Sequence, residues 1–331
     1  MNFPSDSIQQ VHTLIHKAER IVITTHVSPD GDAMGSSLAL YHVLKKAGKQ
    51  VTVITPNAQP RFLTWLQDAD KTIAYDQIPE ESSRCVEESD LIFCLDFNDL
   101  KRLDTFEPLV SASQKPMVVV DHHQQPKDFA TVLISDESKS STCEMIFDLI
   151  EDLGWIDKID KDTANCIFTG LSTDTGFFRH NCTTARVHRI AAHLIELGAE
   201  NTKVVERIND TNSVSRLKLL GYALSQKMTH WPEFKTVVFD LNAEELRQFG
   251  YQEGDTEGLV NYGLSIEGVV FSVFFKESAD KIKISFRSKG DFSAQAIAKE
   301  YFNGGGHYNA SGGAFYGSIS QAKELLYSVL K

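Results

Sequence analysis

Little in this chain of 331 residues suits the cell exterior, a membrane or a nucleic-acid backbone. The five cysteines, Cys85, Cys94, Cys143, Cys166 and Cys182, are odd in number and form no CxxC pair. That pattern speaks against a disulfide framework or a thiolate zinc site and makes them reduced small hydrophobes. No apolar run approaches the roughly 18 residues of a membrane span, and the polar start MNFPSDSIQQ lacks the basic and apolar regions of a signal peptide. Basic residues are in deficit: 33 Lys and Arg face 45 Asp and Glu, a balance of −12, so the surface repels long nucleic acids and an anionic ligand has to be held locally. Repeats and low-complexity tracts are also lacking. The expectation is a cytoplasmic globular protein, 42% apolar and 24% charged, long enough for two domains.

Strand-like runs recur as RIVITTH, KQVTVITP, DLIFCLDF and KPMVVVDHH. They alternate with helical patterns, the first over Ala33 to Ala47, where Ala33, Ser37, Leu40, Leu44 and Ala47 recur at spacings of four and three and Gly48 follows as a cap. Continuous apolar strands between amphipathic helices predict an α/β fold with a mostly parallel, doubly wound sheet. Further helices are expected at STCEMIFDLIEDLG, DTANCIFTGL and ARVHRIAAHLIELGA. Residues 1–200 form this first domain, and 201–233 read as a polar helical linker without a strand. Residues 234–331 then form a smaller α+β domain. In it GVVFSVFFKES and DKIKISFRSKG pair as a hairpin, and SAQAIAKEYF is a helix leading into NGGGHYNASGG.

Four acidic and histidine clusters follow apolar segments: His26, Asp30 and Asp32; Asp96; Asp121, His122 and His123; and Asp174. Any one alone reads as a turn, a cap or an exposed loop. Together they mean more, because the strands of a parallel sheet deliver their carboxyl ends to one edge. At least four converging carboxylates need positive charge. Two divalent cations supply it, and a mixed imidazole and carboxylate set suits Mn²⁺ better than Mg²⁺ or Ca²⁺. Two ions about 3.5–4 Å apart are the usual clamp for displacement at phosphorus.

HVSPDGDAMGS, LDFND, DHH and STDTG occur here in an order and spacing that resemble the DHH phosphoesterase superfamily, and GGGHYNASGG resembles the signature of its DHHA1 subfamily. The size and layout are similar to those of nanoRNases that also dephosphorylate adenosine 3′,5′-bisphosphate (pAp). The resemblance implies that His26 and Asp30 bind one metal, that Asp32, His122 and Asp174 bind a second, and that Asp96 bridges them. It implies two Mn²⁺ ions, with Mg²⁺ or Co²⁺ as substitutes. His123 is then expected at the scissile phosphate beside the leaving oxygen, with Asp121 orienting the histidines. The family often has glycine after the Arg-Leu that follows LDFND, where this chain has Asp104.

In the second domain, Gly304, Gly305 and Gly306 permit a turn that exposes N–H donors to an anion, although one glycine would suffice to stop a helix. Arg287, alternating with Ile282, Ile284 and Phe286, faces away from them and with His307 can grip a phosphate. Phe177 and Phe178 read as core rather than as a base-stacking platform, and Arg179 and His180 as substrate-rim residues. The expected activity is a Mn²⁺-dependent phosphodiesterase and phosphatase with its active site in an interdomain cleft. Its expected partners are short single-stranded 5′-phosphorylated oligonucleotides, pAp or dinucleotides, with no membrane and no long duplex. The alternatives are a linear or cyclic dinucleotide phosphodiesterase, a single-strand exonuclease, an inorganic pyrophosphatase and a nucleotide sensor without turnover. Oligomeric state, a homodimer included, is left open.

Overall fold

The structure, a computed structural model, describes residues 2–210 and 212–331. The chain divides into two units, Met1–Thr211 and Asn212–Lys331. The first holds strands β1 (Arg20–Thr25), β2 (Gln50–Thr55), β3 (Ile73–Ala74), β4 (Leu91–Leu95), β5 (Met117–Asp121) and β6 (Val132–Ser135). It also holds helices α1 (Ser5–Lys17), α2 (Gly31–Lys46), α3 (Pro79–Glu88), α4 (Glu107–Ala112), α5 (Thr142–Asp152), α6 (Lys161–Asp174), α7 (Ala185–Glu196) and α8 (Asn201–Asn209). The sheet order is β3-β2-β1-β4-β5-β6 and every pairing is parallel.

Strand residues divide by parity between two cores. Ile21, Ile23, Phe93, Leu95, Val118 and Val120 pack with α1, α2, α5, α6 and α7, while Val22, Ile92, Cys94 and Val119 pack with α3 and α4 on the other face. This is the doubly wound arrangement expected from the alternation of strands and helices. The first helix differs from its amphipathic reading, since α2 is buried on every side from Gly31 to Leu44. Its small residues explain this: a Cβ on Gly35 would lie 2.5 Å from the carbonyl oxygen of Cys166, and one on Gly170 2.3 Å from Cys143 Sγ. Only glycine at these points lets α2 and α6 come this close. Strands β3 and β6 and helices α1, α3 and α4 escaped the sequence reading, β3 because two residues carry no period.

The second unit contains β7 (Met228–Trp231), β8 (Thr236–Leu241), β9 (Phe271–Glu277), β10 (Ile282–Ser288), β11 (Gly305–His307) and β12 (Ala310–Phe315). Its helices are α9 (Val214–Gln226), α10 (Ala243–Gln248), α11 (Leu259–Gly263), α12 (Ala294–Tyr301) and α13 (Ile319–Leu330). The sheet order is β11-β12-β10-β9-β8-β7, with β8 and β9 parallel and the other pairs antiparallel. The segment 201–233 departs from the expected linker. Val204 of α8 is buried in the first unit's core, Leu219 and Ala223 of α9 are buried in the second unit's, and β7 lies where no strand was expected. Polar composition hid these buried stripes of one or two residues. Among the described residues no helix is long and apolar enough to cross a membrane.

The α2–α6 contact generates a stability prediction. Gly35→Ala improves helix propensity by about 1 kcal/mol, yet its methyl meets a backbone carbonyl that cannot turn aside. Overpacking of this kind costs about 1–3 kcal/mol. Urea unfolding should show a net loss of stability; a gain would mean that the helices are not held at this distance.

Candidate metal centre

His26, Asp96 and Asp121 lie in one row across the sheet. Thr25 pairs with Leu95 and Leu95 with Val120, so the next residues of β1, β4 and β5 stand side by side at the carboxyl edge. The row spans the switch point, where β1 leads to β2 on one side and β4 to β5 on the other. That crevice is where open α/β sheets take ligands.

Helices bring the remaining groups. Asp30 caps α2, with Oδ1 accepting from the N–H groups of Asp32 and Ala33 at 3.0 Å each, which leaves Oδ2 4.0 Å from His26 Nε2. His26 Nδ1 lies 2.9 Å from the carbonyl of Val27; a proton donated there orients the ring so that Nε2 faces Asp96 Oδ2, 3.3 Å away. His122 Nε2 is 3.5 Å from Asp96 Oδ1, 3.5 Å from Asp174 Oδ2 and 3.8 Å from Asp32 Oδ2. The donor atoms therefore form two groups, His26/Asp30/Asp96 and Asp32/His122/Asp174, each within 4.8 Å. Asp96 offers one oxygen to each. It sits at φ +65°, a left-handed conformation that costs an aspartate about 1–2 kcal/mol and marks a constrained site.

Charge in this cluster is out of balance. Burial, with the Asp96 charge next, pushes the Asp32 carboxyl up to about 8. Burial and the charges of Asp32, Asp30 and Asp96 hold Asp174 well above the carboxylate range, and Asp174 also ends α6, where the helix dipole disfavours an anion. Burial opposes ionisation of Asp96 too, but hydrogen bonds from His122 and His26 hold it well below its usual value. Burial works against the charged form of His122, yet Asp96 raises it to about 9. Protons thus do here what cations do better. Imidazole and carboxylate donors in two adjoining sets, at a helix end that repels anions, fit a pair of divalent ions.

Asp121 is fully buried and stands behind His123. Its Oδ1 lies 2.7 Å from His123 Nδ1, its Oδ2 accepts the His123 N–H at 2.9 Å, and Asn98 Nδ2 donates to the His123 carbonyl at 2.8 Å. Arg179 and His180 are exposed, and both backbone N–H groups donate to the Thr175 carbonyl at 2.9 Å. They follow three consecutive left-handed residues, Gly176, Phe177 and Phe178, at φ 57°, 58° and 63°. Phe178 stacks on His188 at 5.5 Å and joins the core, whereas Phe177 is half-buried outside the core clusters. Asp104, where the family often has glycine, adopts φ 50° and ψ −121°, a conformation natural to glycine.

The second unit holds the other expected residues. Arg287 is half-buried between Ser272 and Ala310 in the neighbouring strands, its Nη1 donates to the Phe286 carbonyl at 2.9 Å, and burial lowers its pKa. The glycines differ from the expected turn. Gly305–His307 is a strand of a hairpin, a Cβ on Gly304 would lie 2.0 Å from the Gly312 oxygen, and one on Gly306 2.7 Å from the Ala310 oxygen. Close strand packing requires those two glycines; only Gly305 has open space at its Cβ position. Sequence reasoning also missed Thr142. Its Oγ1 donates to Asp96 Oδ1 at 3.0 Å and its N–H to Asp32 Oδ2 at 2.6 Å. The pattern Ser141-Thr142-Cys143-Glu144 announces a helix start, but nothing in it announces those partners.

Comparison with known proteins agrees with this arrangement. The profile of the DHH family, N-terminal domain, matches residues 20–171, and that of the DHHA1 domain matches 235–331. The bifunctional oligoribonuclease and PAP phosphatase NrnA of Thermus thermophilus is 33% identical over 321 residues, covering 94% of this chain and 89% of that protein. The cyclic-di-AMP phosphodiesterase PdeA of Listeria monocytogenes is 27% identical over 343 residues, which cover 97% of this chain but 49% of that one. Among solved structures, an exopolyphosphatase-related protein from Bacteroides fragilis superposes with a TM-score of 0.96 at 42% identity, covering 99% of this chain and 96% of that one. An exonuclease RecJ bound to manganese shares the fold, with a TM-score of 0.55 at 16% identity, over 100% of this chain and 96% of that one.

The charge balance generates a prediction. If Asp32, Asp174 and His122 hold protons at neutral pH, cations must displace them. Calorimetric titration of metal-free protein with Mn²⁺ at pH 7, in two buffers of different ionisation enthalpy, should show release of roughly one or more protons per chain. Binding without proton release would mean that the carboxylates are already ionised.

Proposed function

Because the chain belongs to the DHH–DHHA1 family of phosphoesterases, metal-dependent hydrolases, we propose that it hydrolyses short 5′-phosphorylated oligonucleotides to mononucleotides and removes the 3′ phosphate of pAp. The observation that carries the reading is Asp96, one carboxylate whose two oxygens face two separate histidine and aspartate sets. His26, Asp30 and Asp96 would hold one Mn²⁺, and Asp32, His122, Asp174 and Asp96 the other. When bound, such a pair acidifies a water and polarises the phosphoryl oxygens. The protein supplies the rest.

His123 is the group for the leaving oxygen. Its Nδ1 is tied to a buried carboxylate at 2.7 Å, which orients the ring with Nε2 outward, so a proton can pass from Nε2 to the departing 3′ oxygen. Arg287 and His307, with the Gly305 backbone, bind the terminal 5′ phosphate. In pAp and in a 5′-phosphorylated dinucleotide that phosphate and the next one are separated by a single nucleoside. The PdeA likeness favours a second reading in which the same chemistry acts on linear or cyclic dinucleotides.

Two outcomes test the division of roles. His123→Ala should lower kcat by about 100-fold or more while metal content stays near wild type; loss of an ion in that variant would make His123 a ligand. A time course on pAp, 5′-phosphorylated and 5′-hydroxyl RNA of graded length, and cyclic dinucleotides tests the substrate. A 5′-end label should appear in mononucleotide first. The missing charge-assisted contact, about 1.5–3 kcal/mol, should cost 5′-hydroxyl RNA roughly ten- to a hundredfold in kcat/KM. Arg287→Ala should erase most of that difference. Release of a 3′ label first would reverse the polarity and remove the phosphate role of Arg287.

A further inference from the structure

Thr142 is buried at the first position of α5 and touches carboxylates of both donor groups. Its N–H donates to Asp32 Oδ2 at 2.6 Å and its hydroxyl to Asp96 Oδ1 at 3.0 Å, and the neighbouring Cys143 N–H donates to Asp32 Oδ1 at 2.8 Å. The helix does not need this hydroxyl. Ser141 already caps α5, its Oγ accepting from the Glu144 N–H at 3.0 Å, and Asp32 satisfies the two N–H groups between. A valine would fill the same space without a hydroxyl to satisfy.

The Asp96 carboxylate has its own reason to need a restraint. The terminal torsion of an aspartate is soft, and a partial turn would carry both oxygens away from His26 and His122 at once. On Oδ1 the Thr142 contact, at 3.0 Å, is shorter than the 3.5 Å to His122 Nε2 and the 3.8 Å to His123 Nδ1. Through one residue, α5 therefore holds Asp96 by a hydroxyl and Asp32 by a backbone N–H. We propose that Thr142 is a positioning residue of the metal centre, setting the orientation of Asp96 relative to Asp32 and so keeping one Asp96 oxygen for each cation. This rests on the two-cation reading above.

The test uses full-length protein freed of metal and titrated with Mn²⁺. Thr142→Val should weaken Mn²⁺ binding roughly 10–100-fold and diminish the electron paramagnetic resonance signature of an exchange-coupled Mn²⁺ pair. Thr142→Ser, which restores the hydroxyl, should stay within a few fold of wild type. Thr142→Ala serves as a second hydroxyl-free variant, and circular dichroism of the metal-free proteins identifies which variants are folded. If wild type binds a coupled pair and folded valine or alanine variants bind it equally well, this proposal fails while the metal reading stands. It fails likewise if serine is as poor as valine, since the methyl group would then be what matters. If wild type takes up no Mn²⁺, the two-cation reading falls and this inference with it.

Discussion

Mutual repulsion of carboxylates that have no water around them is the constraint on which the first unit depends. Asp32, Asp96 and Asp121 are almost wholly buried, and Asp174 ends a helix beside them. Each is tolerable only through a specific device. Asp96 has imidazoles on both oxygens, Asp32 has the N–H groups at the start of α5, and Asp121 has the backbone and ring of His123. A buried charge without such partners would cost several kcal/mol. A set of donors held this way suits a ligand of positive charge.

The devices impose geometry on elements far from the chemistry. For Asp32 to reach the start of α5, α2 has to run buried between the sheet and α6, which is why glycines at positions 31, 35 and 170 lie where a side chain would collide. Part of the strained backbone falls in the same region: Asp96 and the turn at Gly176–Phe178 border the donor groups, and the Arg102 carbonyl beside Asp104 accepts the Val27 N–H at 2.8 Å, fixing the loop after His26. Strain at these points is held by the packing around them. In the second unit a similar economy is visible in the glycine run, where two residues serve close strand approach and one keeps open space.

Much of the first unit was legible because its signals are local. Apolar β-branched runs gave β1, β2, β4 and β5, and an acidic or imidazole residue directly after a strand gave the candidate donors. The boundaries failed where the signal was short or mixed: β3 has two residues, and β7 and the buried stripes of α8 and α9 are masked by polar neighbours. The turn expected at Gly304 to Gly306, where the structure has a strand over Gly305–His307, was misread for another reason. A glycine needed by a ligand and one needed by a neighbouring strand look identical in a sequence.

What the sequence determined by itself is the chemical inventory: imidazoles and carboxylates, an acidic surface, and the parity that sends alternate strand residues to opposite cores. Tertiary structure decided the pairing within that inventory. Register places His26, Asp96 and Asp121 in one row, and the contact between α2 and α6 brings Asp32 beside Asp174. Thr142 shows the difference most plainly. Its type and its place at a helix start can be read in the chain, but its hydroxyl meets Asp96 across 46 residues and its N–H meets Asp32 across 110. Contacts of that span depend on which strand ends lie side by side, and no local pattern of residues records it.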